Sequence, residues 1–366
     1  MSSRAFLILI ATIVVMIALF YTTPREFDGV DQGLLLPNLK ASINDVDQIT
    51  FTKADNELVA TLQRGESQWT VAERSAYPAN LGKIRSTLIA LAEAEIIEAK
   101  TADPARYDRL GVQDIDQPDA SGTLVDISWP GQSISLIVGN TGVRGNMAYV
   151  REVGSAQSFL VSADLELDGN TTDWLDRDLL DISSADVHAV TIKHPDGDLL
   201  SLEKVSREAT TFNVLEIPDG RELSYASIAD PIGGLLTALT LDDVEAATTL
   251  DLSEVDPVMA RFETFDALVI EAYAYQLEDV IKVRFRFTAD ESRPNSLIET
   301  DGSSPDASPD ASPDADADAD ADAEVTAFSS SATKADELNA KFEPWIFTLP
   351  SFKSDQLIKK MEDLLK

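Results

Sequence analysis

DVDQITFTKADNELVATLQRGESQWTV, residues 45–71, holds three short runs of β-branched, aromatic and aliphatic side chains, centred on Ile49-Thr50-Phe51, Leu58-Val59 and Trp69-Thr70-Val71. Polar clusters separate them, as turns separate consecutive strands. A helix is expected next. Pro78 lies just ahead of it, and Leu81, Ile84, Leu88 and Leu91 recur at spacings of three and four, which places them on one face. The same grammar returns about 140 residues further on. In DVHAVTIKHPDGDLLSLEKV, residues 186–205, Asp186-Val187 and Val190-Thr191 stand where the first copy has Asp45-Val46 and Ile49-Thr50. Phe212-Asn213-Val214 takes the place of Trp69-Thr70-Val71. A second amphipathic run follows through Tyr225, Ile228, Ile232, Leu235 and Leu239, and Glu245-Ala246 echoes Glu98-Ala99. A repeat this long is a duplicated domain rather than a solenoid unit.

Each copy adds further strands, at 123–129 and 133–138 in the first and at 266–275 and 280–288 in the second. Phe159-Leu160-Val161-Ser162 ends one copy. Trp345-Ile346-Phe347-Thr348 ends the other, before a closing helix that buries Leu357, Met361, Leu364 and Leu365 at helical spacing. The expected fold is α+β: two related copies of an antiparallel sheet packed by helices, residues 45–182 and 183–366, preceded by one N-terminal transmembrane helix.

That helix is read from AFLILIATIVVMIALFY, Ala5 to Tyr21, which carries no charge and, before its closing tyrosine, a single hydroxyl, that of Thr12. It would rise about 25 Å, close to the roughly 30 Å of a bilayer core, with Thr22 and Thr23 extending the span. A cleaved signal peptide usually has a shorter apolar run ending at small residues, whereas this one ends in Leu19-Phe20-Tyr21. Arg4 and the amino terminus precede it, so residues 1–23 are expected to form a cytoplasmic tip and anchor. In a bacterial cell this places a single-pass protein in the inner membrane, held there through residues 5–23, with its ectodomain in the periplasm. Residues 24–44, with two prolines, two glycines and little periodicity, read as a tether.

The net charge of −35 and pI near 4.2 exclude a nucleic-acid partner, because such a surface repels phosphate backbones. With no cysteine, disulfides, thiol nucleophiles and thiolate metal sites are excluded. Residues 289–331 include SPDASPDASPDADADADADAE and read as a disordered acidic loop, since alternating Asp and Ala offers no core-forming pattern. In the side-by-side reading, this loop in the second copy replaces a compact glycine turn in the first. Its alternating acids, Asp314 to Glu324, lack the glycine and the distant bidentate Glu of an EF-hand loop, so no specific calcium site is expected.

The glycine turn lies in SISLIVGNTGVRGNMAYV, residues 133–150, where Gly139, Gly142, Gly145 and Arg144 suggest a phosphate cradle. A cradle opens a helix. Here Ile134, Leu136 and Val138 alternate with serines, and an aromatic, β-branched run follows Gly145, so the stretch reads as a hairpin whose glycines supply positive φ. No nucleotide is expected to bind. Of the two histidines, His188 falls on or beside a strand and His194 precedes Pro195 in a solvated turn. No nucleophile elbow, Walker loop or H-E-x-x-H string occurs. WLDRDLLDI, residues 174–182, reads as an exposed ion cluster around Arg177 with Trp174, Leu179 and Ile182 packed inward. No catalytic residue, cofactor-binding residue or metal ligand is assigned, and no cofactor is expected.

DPARYDRLGV (103–112), LIVGN (136–140), AYVRE (148–152), SFLVS (158–162) and WLDRDLLDI, in that order, together with the ending PWIFTLPSFKSDQLIKKMEDLLK, resemble the bacterial family known as domain of unknown function 4340. The resemblance implies a membrane-anchored extracytoplasmic protein, often encoded beside an ABC-type transport system with gliding-motility-like subunits. It carries over no catalytic residue. The expected function is a non-enzymatic accessory or scaffold subunit of an envelope transport complex with protein partners. The alternatives are a periplasmic hydrolase or carbohydrate-active enzyme using paired carboxylates and, third, a cation-binding module. A scaffold needs an exposed apolar patch or a free sheet edge, whereas an enzyme needs a pocket with converging carboxylates.

Overall fold

The computed structural model describes residues 33–143, 145–165, 167, 169–290 and 331–366. The expected anchor at 5–23 and nearly all of the acidic stretch 289–331 lie outside the described residues. Among the described residues no helix is long and apolar enough to cross a membrane. They divide into two compact units, one of residues 33–69 and 81–171, the other of residues 70–80, 172–290 and 331–366.

The chain runs through α1 (Pro37–Ser42), β1 (Gln48–Lys53), β2 (Glu57–Arg64), β3 (Trp69–Val71), β4 (Tyr77–Pro78), α2 (Leu81–Ala92), β5 (Glu95–Ala99), β6 (Thr123–Trp129), β7 (Gln132–Thr141), β8 (Ala148–Glu152) and β9 (Ser158–Ser162). The strands form a sheet of order β4-β3-β2-β1-β6-β7-β8-β9-β5. Alternation sets its faces: Thr123, Val125, Ile127 and Trp129 are buried along β6, while the residues between them are half-buried. Ile84, Leu88 and Leu91 of α2 are buried, as their spacing predicts, but Leu81 is exposed at the first turn. Residues 33–44, expected as tether, are folded. Leu36 and Leu39 are buried, Leu35 N–H donates to Ala94 O at 2.7 Å and Ile96 N–H to Gly33 O at 3.0 Å, so this segment lies against β5.

The chain continues through β10 (Asp178–Leu180), β11 (Val187–Lys193), β12 (Leu199–Glu203), β13 (Asn213–Val214), α3 (Asp230–Gly233), β14 (Leu239–Thr240), β15 (Asp243–Ala246), β16 (Val258–Thr264), β17 (Leu268–Leu277), β18 (Val280–Ala289), α4 (residues 331–342), β19 (Trp345–Thr348) and α5 (Ser351–Leu357). The larger sheet here has the order β13-β12-β11-β16-β17-β18-β19-β15. Substituting each strand by its repeat partner converts this order into that of the first sheet, β4 aside. The core centres on rings of Phe285, Phe287, Phe342 and Phe347, with Phe287 and Phe342 5.1 Å apart and Phe342 and Phe347 5.4 Å apart.

Three expectations are corrected. First, strand β16 was not anticipated, and it shifts the two strands after it by one: β17 matches β7 and β18 matches β8, while β19 matches β9 as expected. The acidic segment therefore corresponds to the short β8–β9 connection, and the glycine turn between β7 and β8 corresponds to the tight turn between β17 and β18. Second, the run from Tyr225 to Leu239 forms only the short α3. Pro231 starts it, and Gly233 and Gly234 end it. Gly233 lies so close to Phe212 that a Cβ there would meet the ring at 2.1 Å. Third, the closing helix is two pieces, α5 and a 3-10 turn at Met361–Leu364, although Leu357, Met361, Leu364 and Leu365 are all buried.

Candidate functional site

Three of the motifs that carry the family resemblance, DPARYDRLGV, LIVGN and AYVRE, meet in the first unit. DPARYDRLGV forms a 3-10 turn at Pro104–Arg109, capped by Asp103, whose Oδ1 accepts from the Ala105 N–H at 3.1 Å. Tyr107, Leu110 and Val112 then pack on Leu124, Ile137 and Tyr149, making a second, smaller core on the other face of the sheet. Arg151 of β8 enters this core and is 3% exposed. Its Nε donates to Val112 O at 2.9 Å, its Nη1 to Ser155 O at 3.2 Å and its Nη2 to Asp114 Oδ1 at 2.5 Å, while the guanidinium lies 4.6 Å from the Tyr107 ring centroid. Tyr107 Oη donates to Ala156 O at 2.6 Å. Two carbonyls, a carboxylate and an aromatic face thus compensate the desolvated cation. The sequence offers no sign of this burial beyond an arginine in a strand.

The glycines serve the same packing. A Cβ on Gly139 would lie 2.2 Å from Leu110 O, and one on Gly122 would lie 2.2 Å from Gly111 O. Strands β7 and β8 do form the expected hairpin, with Val138 opposite Val150. Positive φ is not the reason for its glycines, however. None of Gly139, Gly142 and Gly145 has it, whereas Gly111 in the covering loop does, at φ 69°. Arg144 lies outside the described residues.

The other candidates are likewise held by structure. His188 Nδ1 donates to Lys204 O at 2.9 Å. His194, expected in solvent, is buried, with Nε2 3.2 Å from Lys359 O. Arg177 does not pair with its sequence neighbours: it bonds Leu241 O and Asp242, both at 2.8 Å, while Trp174 and Leu179 are buried and Ile182 is half-buried. Lys204, not singled out from the sequence, is 2% exposed, with Nζ 2.7 Å from Ser184 O and 4.5 Å from the Phe212 ring centroid. Burial pushes its pKa down, opposed by the charges of Asp230 and Asp186.

A hollow of about 250 Å³ in the second unit gathers Asp181, Asp186 and Asp266. These are not poised carboxylates. Arg207 pairs with both Asp186 and Asp266, and Asp181 accepts the Ala238 N–H at 2.9 Å. Among the described residues no group of three or more acidic or histidine side chains is arranged to hold a metal ion.

What stays open on the first unit is apolar. A groove of about 360 Å³ is lined by Ile43, Val46, Trp69, Leu81, Leu88 and Ile89, with Arg64 and Arg85 beside them. Leu81, Arg85 and Ile89 follow one another at spacings of four along α2, and Leu81 and Ile89 are 41% and 50% exposed, so two apolar side chains beside the buried face of this helix stand open to solvent on either side of Arg85. No curated protein and no solved structure matches the chain. Residues 69–279, more than half of the sequence and including the covering loop, Arg151 and the start of the second copy, match the family described as Domain of unknown function (DUF4340), and the chain belongs to that family.

Proposed function

We propose that this protein is a non-enzymatic scaffold or accessory subunit of an envelope transport complex, anchored in the bacterial inner membrane through residues 5–23 and holding protein partners in the periplasm. The observation that carries the reading is the groove beside α2, where Leu81 and Ile89 stand exposed over an apolar floor instead of completing the core. Such a surface suits a partner segment with apolar anchors. Two positive charges at its side, Arg64 and Arg85, favour an acidic flank on that segment. The family motifs support the reading because Tyr107, Asn140 and Arg151, three of their polar side chains, are spent on holding the covering loop.

The test is purification of the full chain in detergent, with and without Leu81→Asp and Ile89→Asp. The expected result is a defined set of envelope proteins retained by the unaltered chain and lost from the double variant, whose melting temperature stays within about 2 °C because exposed sites contribute little to stability. Retention of the same proteins by the variant would overturn the assignment of the groove. Full cellular complementation by an exported form lacking residues 1–24 would overturn the anchored scaffold.

A further inference from the structure

The two sheets can be laid over one another residue by residue. In the first, Ile49 lies opposite Ile127, Ile127 opposite Ile134, and Ile137 opposite Arg151. In the second, Val190 lies opposite Phe262, Phe262 opposite Ile270, and Tyr273 opposite Arg284. Ile49 and Val190 are repeat partners, so counting along each ladder brings Arg151 and Arg284 to the same place, each preceded by a core valine, Val150 and Val283. Their surroundings differ. In the first unit, residues 100–122 between β5 and β6 fold back over the sheet and supply Tyr107, Val112 O and Asp114 to Arg151. The equivalent connection in the second unit, residues 247–257 between β15 and β16, is about half as long. Arg284 faces a cleft of about 400 Å³ lined also by Tyr273, Tyr275, Arg286, Asn339 and Glu343. Among the described residues neither Arg284 nor Arg286 forms an ion pair, in a chain of net charge −35, although Arg286 hydrogen-bonds the Tyr273 hydroxyl. Asn339 is already committed, its amide exchanging hydrogen bonds with the Phe287 backbone at 2.9 and 2.8 Å.

We propose that this cleft binds an acidic peptide segment of a partner protein, with a carboxylate at Arg284 in the place that Asp114 takes at Arg151. The first unit shows what satisfies this sheet position: a carboxylate, backbone carbonyls and an aromatic ring delivered by one stretch of chain. Arg286 adds a second cation, and the Tyr273 and Tyr275 rings provide the apolar body of the site. The size is that of a site for a few side chains rather than for a whole domain. This assignment concerns the second unit and stands apart from the α2 groove.

The probe is a fluorescent synthetic peptide of residues 103–116, which carries the covering chemistry, titrated into the full-length protein in detergent and followed by anisotropy. Saturable binding is expected, weakened at least tenfold by Arg284→Met in the protein and at least tenfold by Asp114→Asn in the peptide. The melting temperature of Arg284→Met should be unchanged, because that guanidinium has no ion-pair partner to lose among the described residues. Absence of saturable binding to the unaltered protein, or binding unaffected by either substitution, would overturn the proposal. A fall in melting temperature in Arg284→Met would overturn it as well, since it would mean that the chain itself already satisfies this arginine.

Discussion

Arg151 and Arg284 share a position on two sheets of the same strand order, yet one is a structural keystone and the other faces an open cleft. The difference lies outside the sheets. A long β5–β6 connection gives the first sheet a second core on its far face, built on Leu124, Ile137 and Tyr149. The corresponding face of the second sheet carries Met259, Tyr273 and Lys282, with Lys282 paired to Glu245 instead of covered. Duplication thus preserved the ladder while the connections diverged, and each outer face took the composition its cover demands. The covered positions are apolar around one compensated charge, whereas the uncovered ones mix Met259 and Tyr273 with Lys282 and Arg284.

The sharpest way to break this comparison is to substitute the two arginines identically. Arg151→Met should destabilise the first unit by about 2–4 kcal/mol, because it leaves Val112 O and Ser155 O without their donor, releases the largely exposed Asp114 to solvent and loosens the covering loop. Arg284→Met should stay within about 0.5 kcal/mol of the unaltered protein. Urea unfolding monitored by tryptophan fluorescence measures both. Equal losses would show that the two positions are not differently covered.

The glycines of the first unit offer a smaller test. Gly139→Ala adds a methyl where the Leu110 carbonyl stands 2.2 Å away, so the covering loop must lift, at a cost of about 1–3 kcal/mol. Gly145→Ala meets nothing within 4 Å and should be nearly silent. If close approach of the loop is the reason for Gly139, hydrogen exchange in residues 103–116 should quicken in the first variant and not in the second. Matching exchange in both would remove that reason.

The sheets were legible because alternation and turn residues are local signals, and the repeat was legible because DVDQITF and DVHAVTI keep the same apolar positions. Strand β16 was missed because its half-buried outer side carries Arg261 and Glu263, which hold each other at 2.9 Å, so VMARFET reads as polar until those charges are seen to pair. The helices shrank where Pro231, Gly233 and Gly234 interrupt an apolar period that burial alone maintains. The candidate site was least legible of all. Nothing in YVRE separates a buried arginine from an exposed one, since the answer depends on whether a loop some forty residues upstream folds back. The cleft at Arg284 is still harder to foresee, being set by the shortness of a connection.

The smallest expected effect concerns how the second unit buries a phenol. Tyr77 is 3% exposed, with its ring edge-on to Trp345 at 5.0 Å and to Phe347 at 6.4 Å. Burial raises its pKa well above the usual 10.0, and the neighbouring charge of Asp176 adds to the shift. Above pH 10 the unfolded chain releases this proton while the folded chain keeps it, so the unfolded state binds fewer protons and stability falls, by at most about 1.4 kcal/mol per pH unit for one group. Two lysines act in the opposite sense. Burial lowers the pKa of Lys204 and Lys353 below 10.5, so their contribution grows with pH until the unfolded lysines titrate too. The net slope of the whole protein therefore mixes signs, and only a difference isolates the phenol. Urea midpoints of Tyr77→Phe and the unaltered protein should run parallel from pH 8 to 9 and diverge above pH 10, with the phenylalanine variant losing less. Curves that stay parallel to pH 11 would mean that Tyr77 ionises as readily in the folded unit as in the unfolded chain, and that the ring contacts with Trp345 and Phe347 do not exclude water from its hydroxyl.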